Sequence, residues 1–506
     1  MRRTGAALLL LAWAGCTSKD TSPAPTAVVT DVTDLGAAPE VPERPPPALS
    51  RPTLSTQRLT IDGTRLRDAL GREVLLRGVN TGGRAKLPPF FAFPFKESGI
   101  AGQEGAPPFA EAVDAYFARI AAWGLNVVRF PFTWEAVEPT RGTYDTVFLD
   151  RYEQAIAAAA KHGLRVLVDQ HQDVFARPYC GDGMPLWACK DPPKPPYNQD
   201  CVQWFLHYLE DKALHAAFDR LWKNEDGLID AMKAMWVEMA RRAWKHDNVI
   251  GFELLNEPHA GTTDHKTWAK DVLAPFYADV CAAIRTVAAD VPCFFDATGQ
   301  EAVIAKTEVP LPKATGLVFA PHYYDAGAIA LKTWLGTPKQ ISDALAQWRA
   351  QGDAWGIPVL VGEFGMSPAA PLAAEYVRAN FDGLDAARLH GTLWEVSTTA
   401  DDWNDEDMSI TGEGGKERET AAEVVRVYPQ AVAGSLVSFV YDALTRKATL
   451  VIDAVDGVTE LAVPKRLYPG GVTVSVDAPS ASLLVDDRAL VRVNSPGRAT
   501  VTVTPR

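Results

Sequence analysis

The chain has 506 residues, more than one ordinary hydrophobic core holds, so a large domain and a smaller one are expected. A hydrophobic content of 47% with 22% charged residues excludes a disordered or fibrous protein. A net charge of -13, with no Lys/Arg cluster beyond the first few residues, would repel a phosphate backbone and excludes nucleic acid as a natural partner.

Residues 1–16 read as a targeting segment. Arg2 and Arg3 precede an apolar stretch, Ala6 to Ala14, that is too short to cross a bilayer but suits a signal-peptide core. Ala14-Gly15-Cys16 resembles a bacterial lipobox, with Trp13 where leucine is commoner. The expectation is a lipid-modified Cys16 and a chain anchored to the outer membrane or cell surface; an ordinary secretory signal and a secreted protein is the alternative. Residues 17–55, rich in Pro and Thr and including Pro45-Pro46-Pro47, cannot bury a core and read as a disordered tether.

From 56 to 425, short β-branched runs alternate with longer amphipathic segments. An opening hairpin, Leu59 to Leu66 and Glu73 to Gly78, leads to a first strand ending at Asn80. Further strands are predicted at Asn126–Phe130, Arg165–Asp169, Val249–Leu255, Pro292–Asp296, Leu317–Pro321, Val359–Glu363 and Thr392–Glu395. Between them, segments such as Val147–His162 and Gln340–Trp355 carry apolar residues three and four apart. Strand and helix alternating eight times close most simply into a (β/α)8 TIM barrel, whose chemistry collects at the carboxyl ends of the strands. A doubly wound open sheet would want a G-x-G-x-x-G loop after the first strand, and none is present. Residues 426–506 hold about seven short alternating strands and no helix, the pattern of a β-sandwich.

Five cysteines follow Cys16. Cys180, Cys189 and Cys201 share one loop and Cys281 and Cys293 flank a turn, so one bridge within each group and one unpaired thiol are expected. Metal binding is disfavoured, because there is no C-x-x-C and no histidine at ligand spacing.

The most informative feature is a pair of glutamates. Leu255-Asn256-Glu257-Pro258 and Val361-Gly362-Glu363-Phe364-Gly365 each end an apolar strand, and a carboxylate there is costly unless its ionisation is put to use. Two carboxyl groups facing one cleft can cut a glycosidic bond. Other unusual polar residues stand at the remaining strand ends: Arg129, His171, Asn256, His322 with Tyr324, and Trp394. In this order they resemble the motif set of glycoside hydrolase family 5. The resemblance implies Glu257 as general acid/base, Glu363 as nucleophile, Arg129 and Tyr324 as donors to Glu363, Asn256 on the sugar 2-hydroxyl, His322 positioning the acid/base and Trp394 under the sugar ring. The expected separation of the two carboxyl groups is about 5 to 5.5 Å, that of a retaining double displacement.

Finer matches point to the endoglycoceramidase and glycosylceramidase branch of that family. Asp169-Gln170-His171-Gln172-Asp173, Arg77-Gly78-Val79-Asn80 with Lys86 close behind, and Gly183-Met184-Pro185-Leu186-Trp187 resemble its segments. By resemblance, Lys86 and Asp173 bind hydroxyls of the sugar nearest the scissile bond. A loop containing Phe90, Phe91, Phe93 and Phe95 is expected to expose an aromatic patch at the active-site face, with the insertion from Phe175 to Asp226 as the opposite wall or as a self-packed lid. The reading is a retaining β-glycosidase acting on a glycolipid, monomeric, without a cofactor, and brought to a membrane surface by its amino-terminal lipid. An endo-acting cellulase or mannanase, or an inactive surface carbohydrate-binding protein, are the alternatives.

Overall fold

The computed structural model describes residues 49–50, 58–100, 103, 105–190, 192, 201–399 and 403–506. The expected signal segment, Cys16 and nearly all of the tether lie outside the described residues. Among the described residues no helix is long and apolar enough to cross a membrane.

The chain opens with β1 (Thr60–Asp62), β2 (Arg65–Arg67) and β3 (Glu73–Val74). Eight parallel strands follow: β4 (Arg77–Asn80), β5 (Val127–Phe132), β6 (Arg165–Gln170), β7 (Val249–Glu253), β8 (Cys293–Phe295), β9 (Leu317–Phe319), β10 (Leu360–Val361) and β11 (His390–Leu393). They pair in the order β10-β11-β4-β5-β6-β7-β8-β9, and a parallel bridge from Phe319 to Val359 brings the two ends together. The expected (β/α)8 barrel is therefore observed, closed and buried along its strands.

The helices that wrap it start where the sequence provides a cap. Asp145 accepts from the amides of Val147 and Phe148, and the helix Thr146–Lys161 then buries Phe148, Leu149, Tyr152, Ala155, Ile156 and Ala159 on one stripe. Thr337 and Gln340 form a reciprocal capping box for Pro338–Trp355, which ends on Gly356 in the left-handed region.

Eight further strands follow: β12 (Tyr428–Val432), β13 (Gly434–Asp442), β14 (Lys447–Ala454), β15 (Thr459–Ala462), β16 (Val472–Val476), β17 (Ser480–Val485), β18 (Arg488–Val493) and β19 (Gly497–Pro505). They form two antiparallel sheets, as the β-sandwich reading expected, with one difference. The seven-stranded sheet runs β1-β2-β3-β12-β15-β18-β17, so the amino-terminal hairpin belongs to the carboxyl-terminal sheet. Its residues Leu59, Leu66 and Val74 join Ala431 against the interior layer Val127, Leu167, Ile250, Phe294, Val318 and Leu360. That cluster plugs the amino-terminal mouth of the barrel and leaves the opposite mouth for chemistry.

A buried ion pair network joins barrel to sandwich. Asp385 Oδ1 accepts from Arg77 Nη2 at 2.6 Å, and its Oδ2 accepts from Arg426 Nη2 at 2.6 Å. All three side chains are buried. Replacing Asp385 by alanine leaves two guanidinium groups in the interior without that counter-charge, so we expect Asp385→Ala to lose about 3–5 kcal/mol of stability. Urea unfolding of the variant with an unchanged midpoint would contradict this.

Candidate active site

The carboxyl ends of the strands surround a cavity of about 290 Å³ lined by Lys86, Asp173, Glu257, Tyr324 and Glu363 at one end. Of the other residues singled out from sequence, Arg129, His171, Asn256, His322 and Trp394 stand directly behind this set. All ten are brought to one end of the barrel.

Glu363 follows β10 and is gripped on both oxygens. Arg129 Nη1 donates to Oε1 at 2.6 Å, and the Tyr324 hydroxyl donates to Oε2 at 2.8 Å. Burial alone would raise its pKa, but His322 and Arg129 hold the carboxyl below the usual range, so it is ionised. Arg129 is itself fixed by Glu253, which accepts from Nε at 2.8 Å and from Nη2 at 2.7 Å, and by Asn80 and Asn256. This paired geometry lets a fully buried guanidinium keep its charge.

Glu257 is held differently. Its Oε1 is 2.8 Å from His322 Nδ1, and its Oε2 faces Gly299. A Cβ at Gly299 would lie 2.6 Å from Oε2, so a side chain there would displace the carboxyl from this position. The backbone of Glu257 has φ +36°, a left-handed conformation that costs of order 1–3 kcal/mol outside glycine. Asp296 Oδ2 accepts its amide at 3.0 Å and Gln172 Nε2 donates to its carbonyl at 2.9 Å, which fixes the backbone there. Carboxylate oxygens of Glu257 and Glu363 come within 4.8 Å of one another, with His322 between them.

Behind Glu363, His171 Nδ1 is 2.9 Å from Asp169 Oδ2, and its ring stacks on Trp394 with centroids 5.1 Å apart. Its Nε2 lies 3.4 Å from Asp173 Oδ2, an ion-pair distance without good hydrogen-bond alignment. Lys86 Nζ is 2.6 Å from Asp173 Oδ2 and 3.5 Å from Glu406 Oε1. Burial works against both charges, yet Lys86 and His171 bring the Asp173 pKa down to about 2. Asn256 gives Oδ1 to Arg129 and one amide proton to the carbonyl of Gln172, leaving one proton for a ligand. Trp394 does not itself line the cavity; its ring rests against Gly82 and its Nε1 donates to Glu406 Oε2 at 3.0 Å.

Among the described residues, two groups have the spacing of a metal site, Glu253/Asp296/His322 and Glu257/His322/Glu363. In both, the carboxylate oxygens already engage Arg129, His322, Tyr324 or backbone amides.

Glu253, Asp296 and Glu406 were not singled out from the sequence. Glu253 lay inside a run read as a buried strand, where a lone charge is itself a signal. Asp296 ended a predicted strand unremarked, and Glu406 sits in a loop without a pattern.

Beyond Glu257 the cavity changes character. Its lining there includes Phe205, Tyr208 and Leu209 of the insertion together with Val303 and Ile329, while Trp204 of the same insertion sits on the Lys86 side, its ring centroid 5.7 Å from Nζ. The Phe-rich loop is not part of it: Phe91, Phe93 and Phe95 are buried against Phe109, Tyr116 and Phe148, so in place of the exposed patch expected there the loop joins the main core of the barrel. Of the insertion's other aromatics, Trp187 packs on Trp134, and Trp222 on Trp268 and Phe276. The bridges are Cys180–Cys201 and Cys281–Cys293, one in each expected group, and Cys189 is a buried free thiol.

Residues 91–400 match the family model of cellulase (glycosyl hydrolase family 5), and residues 426–504 match the glycoside hydrolase family 5 C-terminal domain. The chain is 27% identical to endoglycoceramidase I of Rhodococcus hoagii (strain 103S) over 481 residues, 88% of this chain and 90% of that one. The solved structure of endo-glycoceramidase II from Rhodococcus sp. as a ganglioside GM3 complex aligns with a TM-score of 0.70 at 26% identity, covering 88% of this chain and 100% of that one. Its lactosyl-enzyme intermediate aligns with a TM-score of 0.67 at 25% identity over 88% and 100%.

Burial opposes the charge of His322, but Asp296, Glu363 and Glu257 outweigh it and push the pKa up to about 10. Because the folded value lies above the ordinary value of about 6.5, the associated stabilisation is complete below that pH and is lost as pH rises through about 10. An NMR titration should therefore find the His322 ring protonated from pH 5 to 8. A midpoint near 6.5 would refute this.

Proposed function

The chain belongs to glycosyl hydrolase family 5, a family of retaining glycoside hydrolases, and from that premise we propose that it releases the glycan of a glycolipid from its lipid alcohol. The observation that carries this reading is one cavity lined both by the charged set Lys86, Asp173, Glu257, Glu363 and Glu406 and by the apolar side chains Phe205, Leu209, Val303, Ile329 and Met408. Sugar hydroxyls suit the first and a hydrocarbon chain suits the second. Two of the residues lining the cavity, Leu209 and Val303, are exposed, a cost in water that contact with a lipid aglycone would offset. The alignment with endo-glycoceramidase II in complex with ganglioside GM3 supports the same substrate class.

In this reading Glu363, ionised, attacks the anomeric carbon while Glu257 passes its proton to the glycosidic oxygen, so the C–O bond to the lipid breaks as the glycosyl ester forms. Water then enters; Glu257 takes its proton, the hydroxide oxygen bonds to the anomeric carbon, and Glu363 leaves as a carboxylate. One carboxylate oxygen of each glutamate lies within 4.8 Å of the other, close enough for the double displacement of a retaining enzyme, in which the carboxyl groups stand about 5–5.5 Å apart. Lys86, Asp173 and Asn256 hold sugar hydroxyls, and Arg129 and Tyr324 orient the nucleophile. An endo-acting polysaccharide hydrolase would need sugar-binding surface on both sides of the glutamates, and the apolar side offers little.

Incubation with glucosylceramide, a ganglioside, a steryl glucoside and cellohexaose, with products identified by mass, tests the reading. Lipid cleavage is expected, and cleavage of cellohexaose alone would overturn it. Glu363→Gln should lower turnover about 10⁴-fold or more.

The same reading takes the chain to a bacterial envelope surface through a lipid on Cys16, supported by Arg2, Arg3 and the apolar stretch before Ala14-Gly15-Cys16. Metabolic labelling with palmitate should be abolished by Cys16→Ser. Labelling that survives the substitution would remove the anchor.

A further inference from the structure

The charged end of the cavity is enclosed. Lys86 and Asp173 are only 2% and 4% exposed, although both lie at the sugar-binding end. Three indole rings cover Lys86 Nζ, with centroids at 3.9 Å for Trp403, 4.6 Å for Trp394 and 5.7 Å for Trp204. Trp204 comes from the insertion after β6 and Trp403 from the loop after β11, and the two rings meet edge to face, centroids 5.0 Å apart.

This junction is fastened on both sides. The Cys180–Cys201 bridge ties the chain three residues before Trp204 to the loop after β6. Asn404, the neighbour of Trp403, donates from Nδ2 to the carbonyl of Cys180 at 2.7 Å. Glu406 completes the wall by accepting from Trp394 Nε1 while it faces Lys86. The Trp204–Trp403 and Asn404–Cys180 contacts join the β6 insertion to the β11 loop.

A hexose whose anomeric carbon lies between Glu257 and Glu363 points its 3- and 4-hydroxyls away from the leaving group, toward Lys86, Asp173 and Glu406. A second sugar linked there would have to occupy the place of the Trp204–Trp403 pair. Resting on the glycolipid reading above, we propose that this enzyme takes a single hexose as its glycone: it cleaves monoglycosylated lipids, and Trp204 and Trp403 are the specificity-determining residues that shut out a longer glycan. The glycan released is then one sugar, supplied on the substrate by whichever single glycosyl transfer made the lipid.

Soluble aryl glycosides test glycone length apart from the lipid. The full chain should hydrolyse a 4-nitrophenyl β-monohexoside, glucoside or galactoside, with kcat/KM at least ~100-fold above that for the matching β-lactoside. Trp403→Ala and, separately, Trp204→Ala should shift that ratio at least ~10-fold toward the lactoside, and so should the double variant Cys180→Ser/Cys201→Ser, which leaves both rings in place but unfastens the junction. A merely structural role would lower both activities together and leave the ratio where it was. Comparable parent rates on both glycosides, or a ratio unmoved in all three variants, would overturn the inference while leaving the lipid reading standing. Selectivity for the monohexoside with no cleavage of any glycolipid would uphold the closed glycone end and overturn the lipid. Hydrolysis of neither aryl glycoside would overturn the inference, and the lipid reading would then stand or fall on glycolipid cleavage.

Discussion

The arrangement turns on one buried guanidinium. Arg129 leaves β5 into the barrel end with no exposure to solvent and spends its donors on Glu253, Asn80, Asn256 and Glu363. Asp169 lies 3.1 Å away as well. A charge so placed is very costly without partners, and each of those carboxylates is equally costly without it. The set is stable only as a set, which is why the position of Glu363 is dictated by Arg129 on β5 and that residue's partners on β6 and β7, and not by its own loop. The same attraction that satisfies Arg129 keeps Glu363 ionised, so structural necessity and chemical readiness are one electrostatic fact.

A second cluster, around His322, sets the other glutamate apart. His322 faces Glu257 at Nδ1 and Asp296 at Nε2, and Asp296 in turn takes the amide of Glu257. Glu257 therefore has a strained backbone anchored to β8 and one oxygen committed to the imidazole, with the second oxygen in the narrow space that Gly299 leaves. Two chemically identical side chains meet different surroundings, Glu363 accepting from Arg129 and Tyr324 and Glu257 facing the ring of His322.

Much of this was legible beforehand because the signals were local. A glutamate closing an apolar strand marks itself, and the alternation of strands and helices tells which end of the barrel it reaches. Glu253 escaped because a charge inside a buried run makes sense only once Arg129 is seen opposite it, on a strand 124 residues earlier. The Phe-rich loop misled for the opposite reason: its residues look exposed in sequence, but Phe109 and Phe148, brought by two separate helices, bury them. Nor does local patterning reveal that β3 pairs with β12, since antiparallel partners separated by the whole barrel leave no periodic trace. The Trp204–Trp403 contact belongs to the same class, a meeting of two loops that neither sequence announces.

The asymmetry of the cavity also orders the reaction. In the proposed reading, with the glycone end walled by Trp204, Trp403 and Glu406, the sugar enters and leaves on the side of the leaving alcohol. The alcohol must then depart before water can reach the glycosyl ester at Glu363, and the freed sugar must follow by the path the lipid has vacated. A double displacement requires this sequence of events, and a blind pocket enforces it sterically, because a covalently held sugar cannot obstruct the exit of a group that stands nearer the mouth than itself.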